Sequence, residues 1–61
     1  MDSLASDEFY YVETLYFTCG IMVHDRKVID AAPIMKWSIG KWLSEVQEWA
    51  NRKGGNILLV N

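Results

Sequence analysis

The chain reads as a small α+β protein. The expected architecture is a three-stranded antiparallel or mixed sheet in spatial order 2-1-3, with one main helix on one face and chain order ββαβ. Three observations predict it. Leu15, Phe17, Cys19, Ile21 and Val23 recur at every second position, the period of a strand with one apolar face. Trp42, Leu43, Val46, Trp49 and Ala50 recur at helical spacing and form one apolar stripe. Ile57-Leu58-Leu59-Val60 is a short apolar run behind a Gly54-Gly55 helix stop, which suits a last buried strand.

Each element has a local reason. Residues 1–8 are small, polar and acidic and predict a flexible tail, leaving 9–61 as a single domain. Along the first predicted strand, Tyr16, Thr18, Gly20 and Met22 form the second face, which is less apolar but hardly polar. Gly20 there marks a bulge or a close approach to the backbone. His24-Asp25-Arg26-Lys27 is a polar break before Val28-Ile29-Asp30-Ala31 resumes a strand, so a hairpin is expected. Asp25-Arg26 lacks the glycine that a two-residue turn prefers, and a four-residue loop on a type I turn fits equally well. Pro33 ends the second strand and suits the first position of a helical turn over Ile34–Ile39, stopped by Gly40. In the main helix Glu45 and Glu48 lie toward the start and Arg52 and Lys53 in the last turn, complementing the helix dipole. The helix is expected to cover the sheet face that carries Phe17, Cys19 and Ile21.

Size and composition narrow the function. A chain of 61 residues makes one small domain, and such domains bury only about 60% of their unfolded surface. With one cysteine and one histidine, neither an internal disulfide nor a closed Cys/His zinc site can be assembled. The core must come from the three Trp, three Tyr and two Phe, or from another subunit. The N-terminus is acidic and lacks the apolar stretch of a signal peptide. No run approaches a membrane span, and the lone Cys19 suits a reducing compartment, so the expected location is the cytoplasm. The net charge of −2 is split unevenly: residues 1–25 carry five acidic groups and no Lys or Arg, whereas 26–61 carry six basic and three acidic groups. An acidic arm lying over the basic half, a basic half facing an anionic partner, and a merely solubilising tail all fit this split.

The run Phe17-x-x-Gly20-Ile21-x-Val23-x-Asp25, followed by Val28-x-x-Ala31-Ala32-Pro33-Ile34-x-Lys36-Trp37-x-x-Gly40-Lys41, resembles a group of small phage and prophage proteins. In that group a short strand and an acidic turn precede an Ala-Ala-Pro-Ile-x-(Lys/Arg)-Trp-x-x-Gly-Lys segment and a helix. The resemblance spans about Phe17 to Gly54, and Arg26 departs from it where the turn would favour glycine. It implies a small phage-encoded accessory protein and carries no transferable activity.

Candidate sites are weighed against structural roles. Lys36-Trp37 and Lys41-Trp42 invite a nucleic-acid reading, since lysines meet phosphates and indoles stack on bases. Five-residue spacing puts the pairs on different helix faces unless Gly40 bends the path. Trp42 is expected in the core with Trp49, and Trp37 either caps the sheet or stands exposed. An acidic chain lacks the usual electrostatic driver for nucleic acid. Gly40-Lys41 is not a phosphate loop, because Met35 and Trp42 stand where glycine and a hydroxyl are required. Cys19 lies on an apolar strand face, and His24 beside Asp25 has no nucleophile to serve, so no catalysis, cofactor or metal is expected. The remaining reading is a protein–protein interaction module, dimeric, acting as accessory or inhibitor on a host or defence protein. Its expected contact residues are Tyr10, Tyr16 and Met22, with Val12, on the sheet face away from the helix, together with Lys36, Trp37 and Lys41. The alternative is a nucleic-acid or nucleotide-ligand binder using Lys36, Lys41, Arg52 and Lys53 around Trp37.

Overall fold

A computed structural model describes residues 7–60. The predicted flexible tail therefore falls largely outside the described residues. Of its last two members, Asp7 accepts from His24 Nδ1 at 2.9 Å and Glu8 begins a strand. The fold is α+β, with four antiparallel strands and one main helix. The strands are β1 (Glu8–Glu13), β2 (Thr18–His24), β3 (Lys27–Ala31) and β4 (Asn56–Leu59), in spatial order β3-β2-β1-β4. Between β3 and β4 lie a 3-10 segment, Pro33–Ser38, and the helix α1, Leu43–Arg52.

The predicted three-stranded order 2-1-3 is corrected by one strand. β1 inserts between β2 and β4, so the last strand pairs with β1 and not with the strand holding Cys19 and Ile21. The physical reason lies at Thr14–Phe17. Leu15 and Phe17 continue the alternation of β2 in sequence, yet the chain turns there. Thr14 Oγ1 accepts from the backbone N–H groups of Tyr16 and Phe17, at 3.0 and 3.1 Å, and the Thr14 N–H donates to the Phe17 carbonyl at 2.9 Å. A threonine hydroxyl thus does what Gly or Pro does in more obvious turns.

That turn is held against the far end of the helix. The Leu15 N–H donates to the Lys53 carbonyl at 3.3 Å. The helix ends in a Schellman motif: Gly54 N–H bonds the Asn51 carbonyl at 3.1 Å and Gly55 N–H the Ala50 carbonyl at 2.9 Å, with Gly54 at φ +76°. A β-carbon on Gly55 would fall onto the Glu13 carbonyl, so this residue is glycine because two backbones touch there.

At the other end, β2 and β3 join through a two-residue loop in which Asp25 and Arg26 both have positive φ, 53° and 67°. This is the left-handed pair of a type I′ turn. The tight turn forms despite the missing glycine. Its Arg26 carbonyl accepts from Leu43 N–H at 2.7 Å, which ties the turn to the start of α1. Glu45 Oε1 accepts from the Trp42 N–H at 3.0 Å, one half of a capping box.

The core lies between one sheet face and the helical layer. Val12, Ile21, Val23 and Val28 from the sheet meet Met35, Val46 and Ala50, all essentially inaccessible to solvent. Phe17 and Cys19 pack against them, as the strand alternation predicts. Ser38 is the buried polar residue, and its hydroxyl donates to the Met35 carbonyl at 2.6 Å.

Two substitutions test these constraints by thermal unfolding. Gly55→Ala is expected to cost about 3 kcal/mol or more, because neither backbone can retreat, whereas Gly54→Ala costs about 1–2 kcal/mol for its left-handed φ. Arg26→Gly is expected to stabilise, since left-handed strain of about 1–2 kcal/mol exceeds the chain entropy of glycine at about 0.5–1 kcal/mol. A Gly55→Ala protein melting like the native chain would contradict the close approach.

Candidate protein-interaction surface

Because α1 and the 3-10 segment lie on one side, no layer among the described residues covers the second side of the sheet. Register decides what it displays. Directly opposed residues of antiparallel strands share a face. Phe9 opposes Met22, Tyr11 opposes both Gly20 and Leu58, and all of these stand opposite to the core side chains. A register shift at Met22/Val23 sets Ile29 and Asp30 together against Met22, a bulge that turns Ile29 outward. Tyr11, Ile29 and Leu58 are each a little under half exposed, at 43%, 45% and 43%. Phe9 lies edge-on to Tyr11, with ring centroids 5.5 Å apart and planes at 73°. Its ring covers Gly20, where a β-carbon would collide with it, so the glycine inside β2 marks a close aromatic approach rather than a bulge.

The expected contact residues are redistributed. Met22 is on the open face as anticipated. Tyr10 and Val12 are not: they oppose Ile21 and Cys19 and so face the core. The error came from extending the parity of β2 through Thr14–Phe17 as though no turn intervened. Tyr16 sits in that turn, 78% exposed, and belongs to neither face. Phe9, Tyr11, Ile29 and Leu58 share that face with Met22 and are not among the residues expected there. In Phe9-Tyr10-Tyr11-Val12 every residue is apolar or amphipathic, so no alternation marks its two sides.

The Lys-Trp corner also separates. Trp37 is half exposed and packs on Trp49, with centroids 5.0 Å apart, and Trp49 in turn meets Phe17. Trp42 is not a core residue. It precedes α1, is 52% exposed, and lies under the Lys27 ammonium at 4.9 Å. The reason is the helix start: Trp42 keeps extended backbone to bridge β3 at Lys27, which takes its ring off the helical stripe. Lys36 and Lys41 are exposed.

A separate hollow of about 720 Å³ opens beside the start of α1, lined by Glu8, Tyr10, Arg26, Trp42, Leu43, Ser44 and Gln47. The Tyr10 hydroxyl donates to Glu8 Oε1 there at 3.1 Å. Desolvation raises the Tyr10 pKa, the bond to Glu8 and the Glu8 charge add to it, and Arg26 opposes. Burial alone pushes the Cys19 thiol up. His24 bonds Asp7 rather than its neighbour Asp25. Among the described residues no group of His, Cys, Asp and Glu side chains could hold a metal ion, and no helix is long and apolar enough to cross a membrane. No protein-family model, curated protein or solved structure matches the chain.

The two raised pKa values fix the sign of an alkaline transition. The folded chain holds the Cys19 and Tyr10 protons more tightly than the unfolded chain does, so their contribution is intact below the ordinary values of 9.0 and 10.0 and is lost as pH rises through the raised ones. Urea unfolding midpoints are expected to fall from about pH 9 upward. Cys19→Ala with Tyr10→Phe should flatten that fall, and an unchanged alkaline slope in the double variant would contradict the assignment.

Proposed function

We propose that this protein is a small non-enzymatic interaction module that binds another protein through the open face of its sheet. The observation that carries this reading is the apolar row of exposed Tyr11, Ile29 and Leu58 with half-buried Phe9 and Met22, on a face that no layer among the described residues covers. Aromatic and Met side chains are the types enriched at the centres of interfaces. A surface of this kind on so small a domain favours a partner over exposure to water. The resemblance of the Ala31–Lys41 segment to phage and prophage proteins supplies the context: an accessory or inhibitor protein acting on a host or defence protein.

The role of Trp37 and Lys36 is secondary. Trp37 already spends one side on Trp49, and the net charge of the chain is −2. Nucleic acid is therefore a poorer fit than a protein surface.

Affinity capture with single variants tests the proposal. Tyr11→Glu and Met22→Lys, placed at the centre of the face, are expected to weaken partner binding by about tenfold or more, the effect of losing a hot spot. Trp37→Ala should leave the same partner bound. Capture undiminished by both face variants, with their folds intact by circular dichroism, would overturn it.

A further inference from the structure

The sheet has two edges, and they are treated differently. The β3 edge is closed by the chain that follows it. Val28 N–H donates to the Lys41 carbonyl at 2.9 Å, Gly40 N–H donates to the Val28 carbonyl at 2.8 Å, and Lys27 bridges Trp42. The same strand carries the bulge and two charged residues, Lys27 and Asp30. Coverage, bulges and charge are the usual protections against edge-to-edge pairing.

Among the described residues the β4 edge has no covering strand, bulge or charge, only the side chain of Asn56, which also accepts from Gln47 Nε2 at 3.1 Å. Asn56–Leu59 is the last strand of the sheet, in unbroken register with β1, and holds no charged residue and no proline. Val60 N–H donates to the Phe9 carbonyl at 2.8 Å. Bonded and non-bonded pairs alternate along an antiparallel ladder, so the peptide groups of Ile57 and Leu59 point away from β1. The Ile57 N–H is taken by the Asn56 side chain at 2.9 Å; the Leu59 N–H faces outward. Side chains on both faces of this strand are apolar and exposed: Leu58 on the open face, and Leu59, 60% exposed, on the helix side beyond the helix's cover.

We infer that a second copy of this chain pairs with β4, antiparallel about a two-fold axis at Leu58, joining two four-stranded sheets into one. The occupant is a second copy because the strand complements itself. Centred on Leu58, the pairing sets Leu58 against its own counterpart and Ile57 against Leu59 twice, so one register serves both chains. The outward groups of Ile57 and Leu59 then meet as bonded pairs, with Asn56 releasing the Ile57 N–H. On the helix side, Ile57 of each copy lies beside the exposed Leu59 of the other. On the open side, the two apolar rows become continuous through Leu58. No charge lies on the joining strand, so the net charge of −2 is kept off the seam. The inference rests on the edge alone and stands or falls separately from the role of the open face.

Sedimentation equilibrium of the full chain from low to high micromolar concentration tests it, beside Leu59→Pro. Proline removes the outward N–H at position 59 and leaves the β1 ladder whole. The expected result is a native dimer whose dissociation constant rises about tenfold or more in the variant. A second reading needs no variant: the Leu59 amide of the native chain should exchange with solvent more slowly as concentration rises. A native monomer throughout, or a Leu59 amide indifferent to concentration, would overturn the pairing. So would a dimer that survives Leu59→Pro but separates in Tyr11→Glu, which would place self-association on the open face instead.

Discussion

A ten-residue helix cannot cover both sides of a four-stranded sheet, and most of what is distinctive here depends on that mismatch. α1 and the 3-10 segment roof one side, where the valines and Ile21 of the sheet close on Met35, Val46 and Ala50. The core is small, and its side chains are mostly aliphatic. The aromatics that looked like core material in the composition lie largely at its margins. Trp37 and Trp42 are about half exposed, and Phe9 and Tyr11 are on the open face. An enclosed interior of this size makes backbone contacts matter more. The approach of Gly55 to the Glu13 carbonyl and the bond from Leu43 to Arg26 fix the two ends of the helix to the two turns of the sheet.

The connection from β3 to α1 follows the sequence reading at Pro33 and Gly40 and departs from it at Trp42. Pro33 begins the 3-10 segment, Gly40 takes φ +91°, and the chain then returns along β3 instead of leaving it. The Ala31–Lys41 segment therefore has a structural job: its end closes one sheet edge. Its small residues and glycine are explained by that route, and Trp42 is drawn out of the helix by it.

The α+β class, the β2–β3 hairpin, the helix with its Gly54-Gly55 stop and the last strand were legible from periodicity and turn chemistry. β1 was not. Phe9-Tyr10-Tyr11-Val12 lacks alternation because tyrosine suits either face, and the turn at Thr14–Phe17 is made by a hydroxyl and by docking on residues distant in sequence. Missing that turn inverted the parity of every residue before it. Tyr10 was thus assigned to the open face and Tyr11 overlooked, while Met22, after the turn, was placed correctly. Local pattern reads faces well within one strand and fails across a turn it cannot see.

The central claim, that the described residues roof one sheet face and leave the other open, can be tested on two methionines of the same chain. Met35 is wholly enclosed beneath the helical layer, and Met22 stands on the open face. Mild peroxide treatment of the folded protein at low concentration, followed by peptide mass spectrometry, measures both in one sample. The account predicts that Met22 becomes the sulfoxide well before Met35, which reacts only when the fold opens. Equal protection of the two would mean that the open face is covered, and would contradict it.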